Sequence, residues 1–326
     1  MTKINKNITL LFLVILAFSC SKEELPVPKH ERGDTITNSV TMGSDYRYQL
    51  FFDLETNKTV SKNKKSIWDL GFETSSTGFH VILNTAKAMF VANTQQVDFF
   101  AITDTIGLNF TWDETSGNID STGIGDWKNT QNVYVLDRGY SSDGTHLGFK
   151  KIVFISVNAT EYSVKFANLD GTNEITKQII KDANYNFTFL SLDNGGKIKT
   201  IEPPKEDWDF VFTQFTNIFY DQNPPLPYIV TGVIINRNKV EVAKDFTKEY
   251  KDVSSSDIPG YTFSTSINTI GYDWKYYAFS ESKYITHPYQ NYIIKTTEGK
   301  YYKLHFIDFY DNLGEKGTPT FEFQEL

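Results

Sequence analysis

The chain has 326 residues, 40% of them apolar and 15% aromatic, with one cysteine and a formal charge of −8. That is enough apolar material for a sizeable core, and a lone cysteine excludes a disulfide framework. An acidic chain with no basic run also excludes binding dominated by nucleic-acid phosphates.

In chain order, residues 1–19 read as a lipoprotein signal peptide. Lys3 and Lys6 precede an apolar run over residues 8–18, about half a bilayer span. Small Ala17 and Ser19 then flank the approach to Cys20, the only cysteine, which becomes the acylated N-terminus once the leader is removed. Several acyl chains at about 0.8 kcal/mol per buried CH₂ make a stable lipid anchor to the outer membrane. Loss of Lys3 and Lys6 takes the formal charge from −8 to −10. Residues 20–44 have two prolines, mixed charge and little apolar periodicity, and read as a flexible tether. Its start, Ser21-Lys22-Glu23-Glu24, resembles the Lys-plus-acid signal that sends lipoproteins of Bacteroidetes-type bacteria to the outer face of the outer membrane. An ordinary charged tether is the alternative.

From residue 45 the pattern is strand-like. "YRYQLFFDL", "FHVILN", "KIVFISV", "YNFTFLSL", "YIVTGVIIN", "NYIIKTT" and "YYKLHFIDFY" are rich in β-branched and aromatic residues. Turn signals such as Asp143-Gly144, Asp170-Gly171, Asn194-Gly195-Gly196 and Glu298-Gly299 divide them. Residues 174–182 and 254–257 are expected to be short helices or loops. The fold class is therefore all-β and mostly antiparallel.

A phrase recurs along the chain. Asp53 and Trp68 match Asp193 and Trp208 at an offset of 140, "VILN" before residue 85 answers "VIIN" before 237, and "IGDW" answers "IGYDW". Landmarks in one order with small indels predict a tandem duplication, with units at 45–180 and 181–326 packed together. Trp68 and Trp208 are expected to anchor the core of each unit.

These landmarks, closing in "EGKYYKLHFIDFYDN", resemble the HmuY-like surface lipoproteins of Bacteroidetes, a family named for haem-capturing proteins of all-β fold. The resemblance implies a first iron ligand, a histidine, in the strand after Trp-Asp, and a later histidine or methionine as the second. Counting from Trp68 and Trp208 puts Glu73 and Thr213 at or beside the first position, and the second offers no His or Met in either unit. It also implies delivery of cargo to a TonB-dependent outer-membrane transporter.

Geometry offers a substitute ligand. A hairpin through residues 75–78 would set His80 opposite Glu73 on one face, with Leu70, Phe72, Val81 and Leu83 on the other, core face. An imidazole there could hold iron or a haem propionate; a plain surface Glu–His pair is the alternative. Met89 is a soft second ligand or a core residue. His30 lies in the tether, His146 in a turn, His287 before Pro288, and His305 between Leu304 and Phe306. There is no zinc-ligand spacing, nucleophile elbow, phosphate loop or Gly-x-Gly-x-x-Gly, so no enzyme is expected. Two functions stay open. One is surface capture of haem or a related iron compound; the other is a module binding glycan or protein through Tyr220, Tyr228, Tyr276 and Tyr277.

Overall fold

The computed structural model describes residues 33–326, which form one compact unit of antiparallel sheets. The leader, Cys20, His30 and the start of the tether lie outside the described residues.

The strands of the first half are β1 (Ile36–Ser39), β2 (Tyr48–Asp53), β3 (Lys58–Lys64), β4 (Leu70–Glu73), β5 (Val81–Leu83), β6 (Phe90–Asn93), β7 (Val133–Asp137), β8 (Phe149–Val157), β9 (Glu161–Asn168) and β10 (Ile175–Ile180). Those of the second half are β11 (Phe187–Ser191), β12 (Lys197–Lys199), β13 (Phe210–Phe219), β14 (Leu226–Ile235), β15 (Glu241–Asp245), β16 (Lys275–Ala278), β17 (Lys283–Thr286), β18 (Asn291–Lys295), β19 (Tyr301–Tyr310) and β20 (Lys316–Glu325).

They form two inner sheets, β12-β11-β4-β5 and β14-β13-β2-β3, and two outer sheets, β10-β9-β8-β7-β6 and β1-β20-β19-β18-β15; β16 and β17 make a separate hairpin. Strand alternation explains the stacking. Phe210 and Phe212 face the second outer sheet and pack with Phe306, Phe321 and Phe323, whereas Val211 between them points the other way. On the first inner sheet Leu70, Phe72 and Leu190 meet Leu136, Phe154 and Tyr162 of the first outer sheet, while Phe187 and Phe189 face inward. Phe51, Trp68, Phe187, Phe189, Trp208 and Val211 then pack the two inner sheets together. The central strands of both inner sheets, β4 with β11 and β2 with β13, are thus largely buried on both faces.

Pairing crosses the expected boundary at residue 180. Strand β4, just after Trp68-Asp69, pairs with β11, and β13, just after Trp208-Asp209, pairs with β2. Each Trp-Asp strand lies beside a hairpin from the other half of the chain. Three of the surrounding hydrogen bonds correspond. The Asp69 N–H donates to Leu190 O and that of Asp209 to Phe52 O; the Asn84 and Asn236 side chains donate to the carbonyls of Trp68 and Trp208. Leu192 N–H donates to the Asp69 carboxylate, and Leu54 N–H to that of Asp209. This register sets Leu54 on Leu192, so Glu55, not Asp53, occupies the place of Asp193. The common offset of 140 fails in the hairpins because the connections from hairpin to Trp-Asp differ by two residues.

Two local expectations are corrected. Residues 36–39, assigned to the tether, pair with β20, and Val40 and Met42 just beyond enter the core. Residues 175–180, expected as helix or loop, are an edge strand paired with β9, in which a half-buried Lys177 and an exposed Ile180 obscure the alternation. Ser255–Gly260 is a short 3₁₀ helix.

Candidate functional site

The Glu73–His80 hairpin has the predicted register. Phe72 pairs with Val81, Glu73 N–H donates to His80 O, and Leu70, Phe72, Val81 and Leu83 are all buried. His80 is nevertheless fully engaged: Nδ1 lies 2.7 Å from Glu73 Oε2 and Nε2 lies 3.3 Å from Asp120 Oδ1. Burial pushes the Glu73 carboxyl up, but hydrogen bonds from Ser75 and His80 outweigh it and hold the group below the usual range. Met89 is buried in the core between the first inner and outer sheets, among Val91 and Leu136. The structure therefore joins Glu73 with His80 and leaves Met89 apart. Thr213, on β13, is buried, and its hydroxyl donates to Gln214 O.

Between the inner sheets lies a cavity of about 120 Å³, lined by Phe51, Trp68, Phe187, Trp208 and, at its polar end, Asp113, Glu202 and Arg237. No histidine, methionine or cysteine lines it. It falls below the roughly 300 Å³ at which ligand pockets begin. Asp113 accepts N–H bonds from Leu83 and Gly123, and Glu202 from Asn186 and Phe187. Burial pushes Asp113 up to about 6 and Glu202 up to about 7.

The remaining histidines separate cleanly. His146 pairs with Asp137 at 2.8 Å, and His305 pairs with Glu322 at 2.9 Å while stacking on Tyr250. His287 alone among the described histidines has no hydrogen-bond or ion-pair partner on its ring, which leans on Tyr276 at 5.0 Å. It sits in an open cleft of about 420 Å³ formed by Phe246, Asp273, His287, Pro288, Tyr289 and Gln290.

Local chemistry builds this cleft at the end of the β15–β18 pair, where Asp245 faces Asn291. The Asp245 carboxylate accepts from Thr247 N–H, Thr247 Oγ1 and Tyr261 Oη, which turns the chain and leaves Phe246 60% exposed. Across the cleft, His287 N–H donates to Trp274 O and Gln290 N–H donates back to His287 O, a turn that Pro288 favours. Tyr289, at its tip, is also 60% exposed. Lys244 is bonded to the cleft's Asp273. The set fits one imidazole ligand to a metal with aromatic faces on either side. Sequence reasoning passed over His287; the signal was a His-Pro-Tyr turn between two strands, where an imidazole has no cross-strand partner.

Tyr220, Tyr228, Tyr276 and Tyr277 are all exposed, as is Phe279. Tyr277 and Tyr284 make an edge contact at 5.2 Å, and Phe219 touches Tyr228 and Tyr272.

Fold and site together define an all-β protein with stacked antiparallel sheets and an open aromatic cleft around one imidazole that has no hydrogen-bond partner among the described residues. The family model described as HmuY protein matches residues 45–323, and the chain belongs to that family. Among solved structures, the chain is similar to apo PinO from Porphyromonas gingivitis, at 10% identity and a TM-score of 0.35, covering 90% of this chain and 97% of that one. It is also similar to the apo HmuY analogue of Tannerella forsythia, at 12% identity and a TM-score of 0.32, covering 91% and 98%. No curated protein matches the chain. Among the described residues, no helix is long and apolar enough to cross a membrane.

Proposed function

We propose that the chain captures haem, or a related iron compound, at the cell envelope, with His287 as its single protein ligand to iron. The observation that carries this reading is the unpartnered His287 ring in an aromatic cleft, in a family of haem-binding type. His287 would hold the iron, and Phe246 and Tyr289 would cover the faces of the macrocycle. The role is binding rather than catalysis. The Cys20 lipid anchor would tether the domain to the outer membrane, on its outer face if the Lys22-Glu23-Glu24 signal acts, within reach of a TonB-dependent transporter. The matched surroundings of Asp69 and Asp209 support reading the chain as two copies of one unit, each placing its first hairpin beside the other's Trp-Asp strand.

Titration of the protein with haemin, followed at the Soret band, tests the reading, with His287→Ala expected to abolish the shift. A second reading, glycan or protein binding, is favoured by the exposed Tyr276, Tyr277 and Tyr228. It takes over if haemin at any concentration leaves the spectrum unchanged.

A further inference from the structure

None of His287, Tyr228, Tyr276 and Tyr277 lines the cavity between the inner sheets, and its two ends differ in kind. The aromatic wall is shared by both halves of the chain: Phe51 meets Trp208 edge-on at 4.9 Å, and Phe189 meets Trp68 at 4.7 Å. The polar end has no such counterpart. Arg237 follows Asn236, whereas the residue in the equivalent place after Asn84 is Thr85, which carries no charge.

The Arg237 guanidinium is only partly matched. It donates to Gly117 O and lies over the Phe187 ring at 5.5 Å, and among the described residues no carboxylate oxygen comes within 4 Å of it. Asp113 and Glu202 line the same end, but all their oxygens already accept N–H groups, from Leu83, Gly123, Asn186 and Phe187. Burial pushes these carboxyls up to about 6 and about 7, so they cancel only part of the arginine charge near neutral pH. A second, independent imbalance has the same sign. The buried indole N–H groups of Trp68 and Trp208 have no hydrogen-bond partner among the described residues. Donors are left over where the neighbouring acceptors are engaged, so the group that would complete the cavity is an acceptor.

We propose that this cavity binds a small organic carboxylate, with a body the size of one aromatic ring, and that Arg237 is its anion-binding residue. The volume sets the size: about 120 Å³ approaches the roughly 150 Å³ of an engineered apolar cavity that takes benzene. A haem macrocycle is far too large for it. The guanidinium presents a planar fork of donors that meets a carboxylate with two parallel hydrogen bonds. Phe51, Trp68, Phe187, Phe189 and Trp208 enclose the body of the ligand. The mouth lies at the polar end, where Asn118 is exposed and Gly117 and Arg237 are half-buried, so the ring enters first and the carboxylate stays near solvent. Thr85 in the equivalent place limits the chain to one such site.

Sodium benzoate is the probe. Titrated into the purified full chain, it should change the tryptophan fluorescence, raise Tm and give one site by calorimetry. Benzamide, of the same shape without the charge, should bind about tenfold more weakly or worse. Arg237→Gln should weaken benzoate by a similar factor while far-UV circular dichroism stays unchanged. Should that variant fail to fold, Ile234→Phe, which fills the cavity and keeps the arginine, should abolish benzoate binding. His287→Ala should leave benzoate binding intact, so this site and the haem cleft stand or fall separately. No change in fluorescence or Tm at millimolar benzoate would overturn the proposal, as would equal binding of benzamide. Benzoate binding that survives either cavity variant in folded form, or is lost in His287→Ala, would overturn it too.

Discussion

Leu192 N–H donates to the buried carboxylate of Asp69 at 2.7 Å across 123 residues of sequence, and the mirror bond, Leu54 N–H to Asp209 at 2.9 Å, spans 155. These bonds lock each hairpin onto the other half's Trp-Asp strand, so neither half completes its inner sheet alone. Residues 45–180 and 181–326 expressed separately should each lack native tertiary structure, and the intact chain should unfold in one transition. Two well-separated denaturation steps, or a fragment with dispersed amide resonances, would contradict the exchange.

Asp69→Ala leaves Lys87 and Arg138 buried around an empty place. Removing one partner of a buried ion pair costs about 3–5 kcal/mol, and the loss should appear as a lower urea midpoint. A change under about 1 kcal/mol would mean that the cations find other acceptors, with Asp193 the nearest.

Trp68 meets Phe189 edge-on at 4.7 Å, and Trp208 meets Phe51 at 4.9 Å, each tryptophan packing on the exchanged hairpin. Trp68→Ala or Trp208→Ala should therefore cost about 3–5 kcal/mol, as large aromatic truncations in a core do. An effect as small as that of a surface substitution would place the ring outside the core between the inner sheets.

Glu202 supplies a pH dependence. Burial raises its carboxyl to about 7, so the folded state binds a proton that the unfolded chain has already released between about pH 4.5 and 7. Its contribution to stability is thus greatest at low pH and falls as pH rises through that window, by about 3 kcal/mol. Asp113 acts in the same direction up to about 6. Glu202→Gln should flatten this part of the stability–pH curve while carboxylates such as Asp69, held low by Lys87 and Arg138 against the upward push of burial, still oppose it at acid pH. An unchanged slope in the variant would show that Glu202 does not titrate there.

Much of this was legible in the sequence because it is local. Alternation in β4 and β5 fixed the pairing of Glu73 with His80, and the repeated Trp-Asp phrase marked two equivalent sites. The pairing of hairpins across the two halves was not legible: when both halves carry the same landmarks, pattern cannot tell β2 from β11 as the neighbour of β4. The role of His80 was half legible. Register placed it beside Glu73, but Asp120, which takes its second nitrogen, arrives from a long loop. His287 was missed for the complementary reason. Its significance lies in what fails to reach its ring, and sequence records neighbours along the chain rather than gaps in space.

His287 and His80 therefore carry opposite expectations for haem. An imidazole whose two nitrogens already face carboxylates must give up one of them, the Asp120 contact at Nε2 being the longer, before it can bind iron, whereas among the described residues the His287 ring has no hydrogen-bond or ion-pair partner to displace. With one protein ligand available, ferric haem should give a five-coordinate, high-spin spectrum rather than the sharp low-spin bands of two strong axial ligands. His287→Ala should remove that spectrum, and Phe246→Ala or Tyr289→Ala should weaken binding several-fold by uncovering the macrocycle. His80→Ala, His146→Ala and His305→Ala should leave the spectrum in place. Added imidazole should convert the wild-type complex to six-coordinate low-spin by filling the open axial position. A low-spin spectrum in its absence that survives His287→Ala would sink the assignment, and its loss in His80→Ala would return the ligand to the Glu73 hairpin.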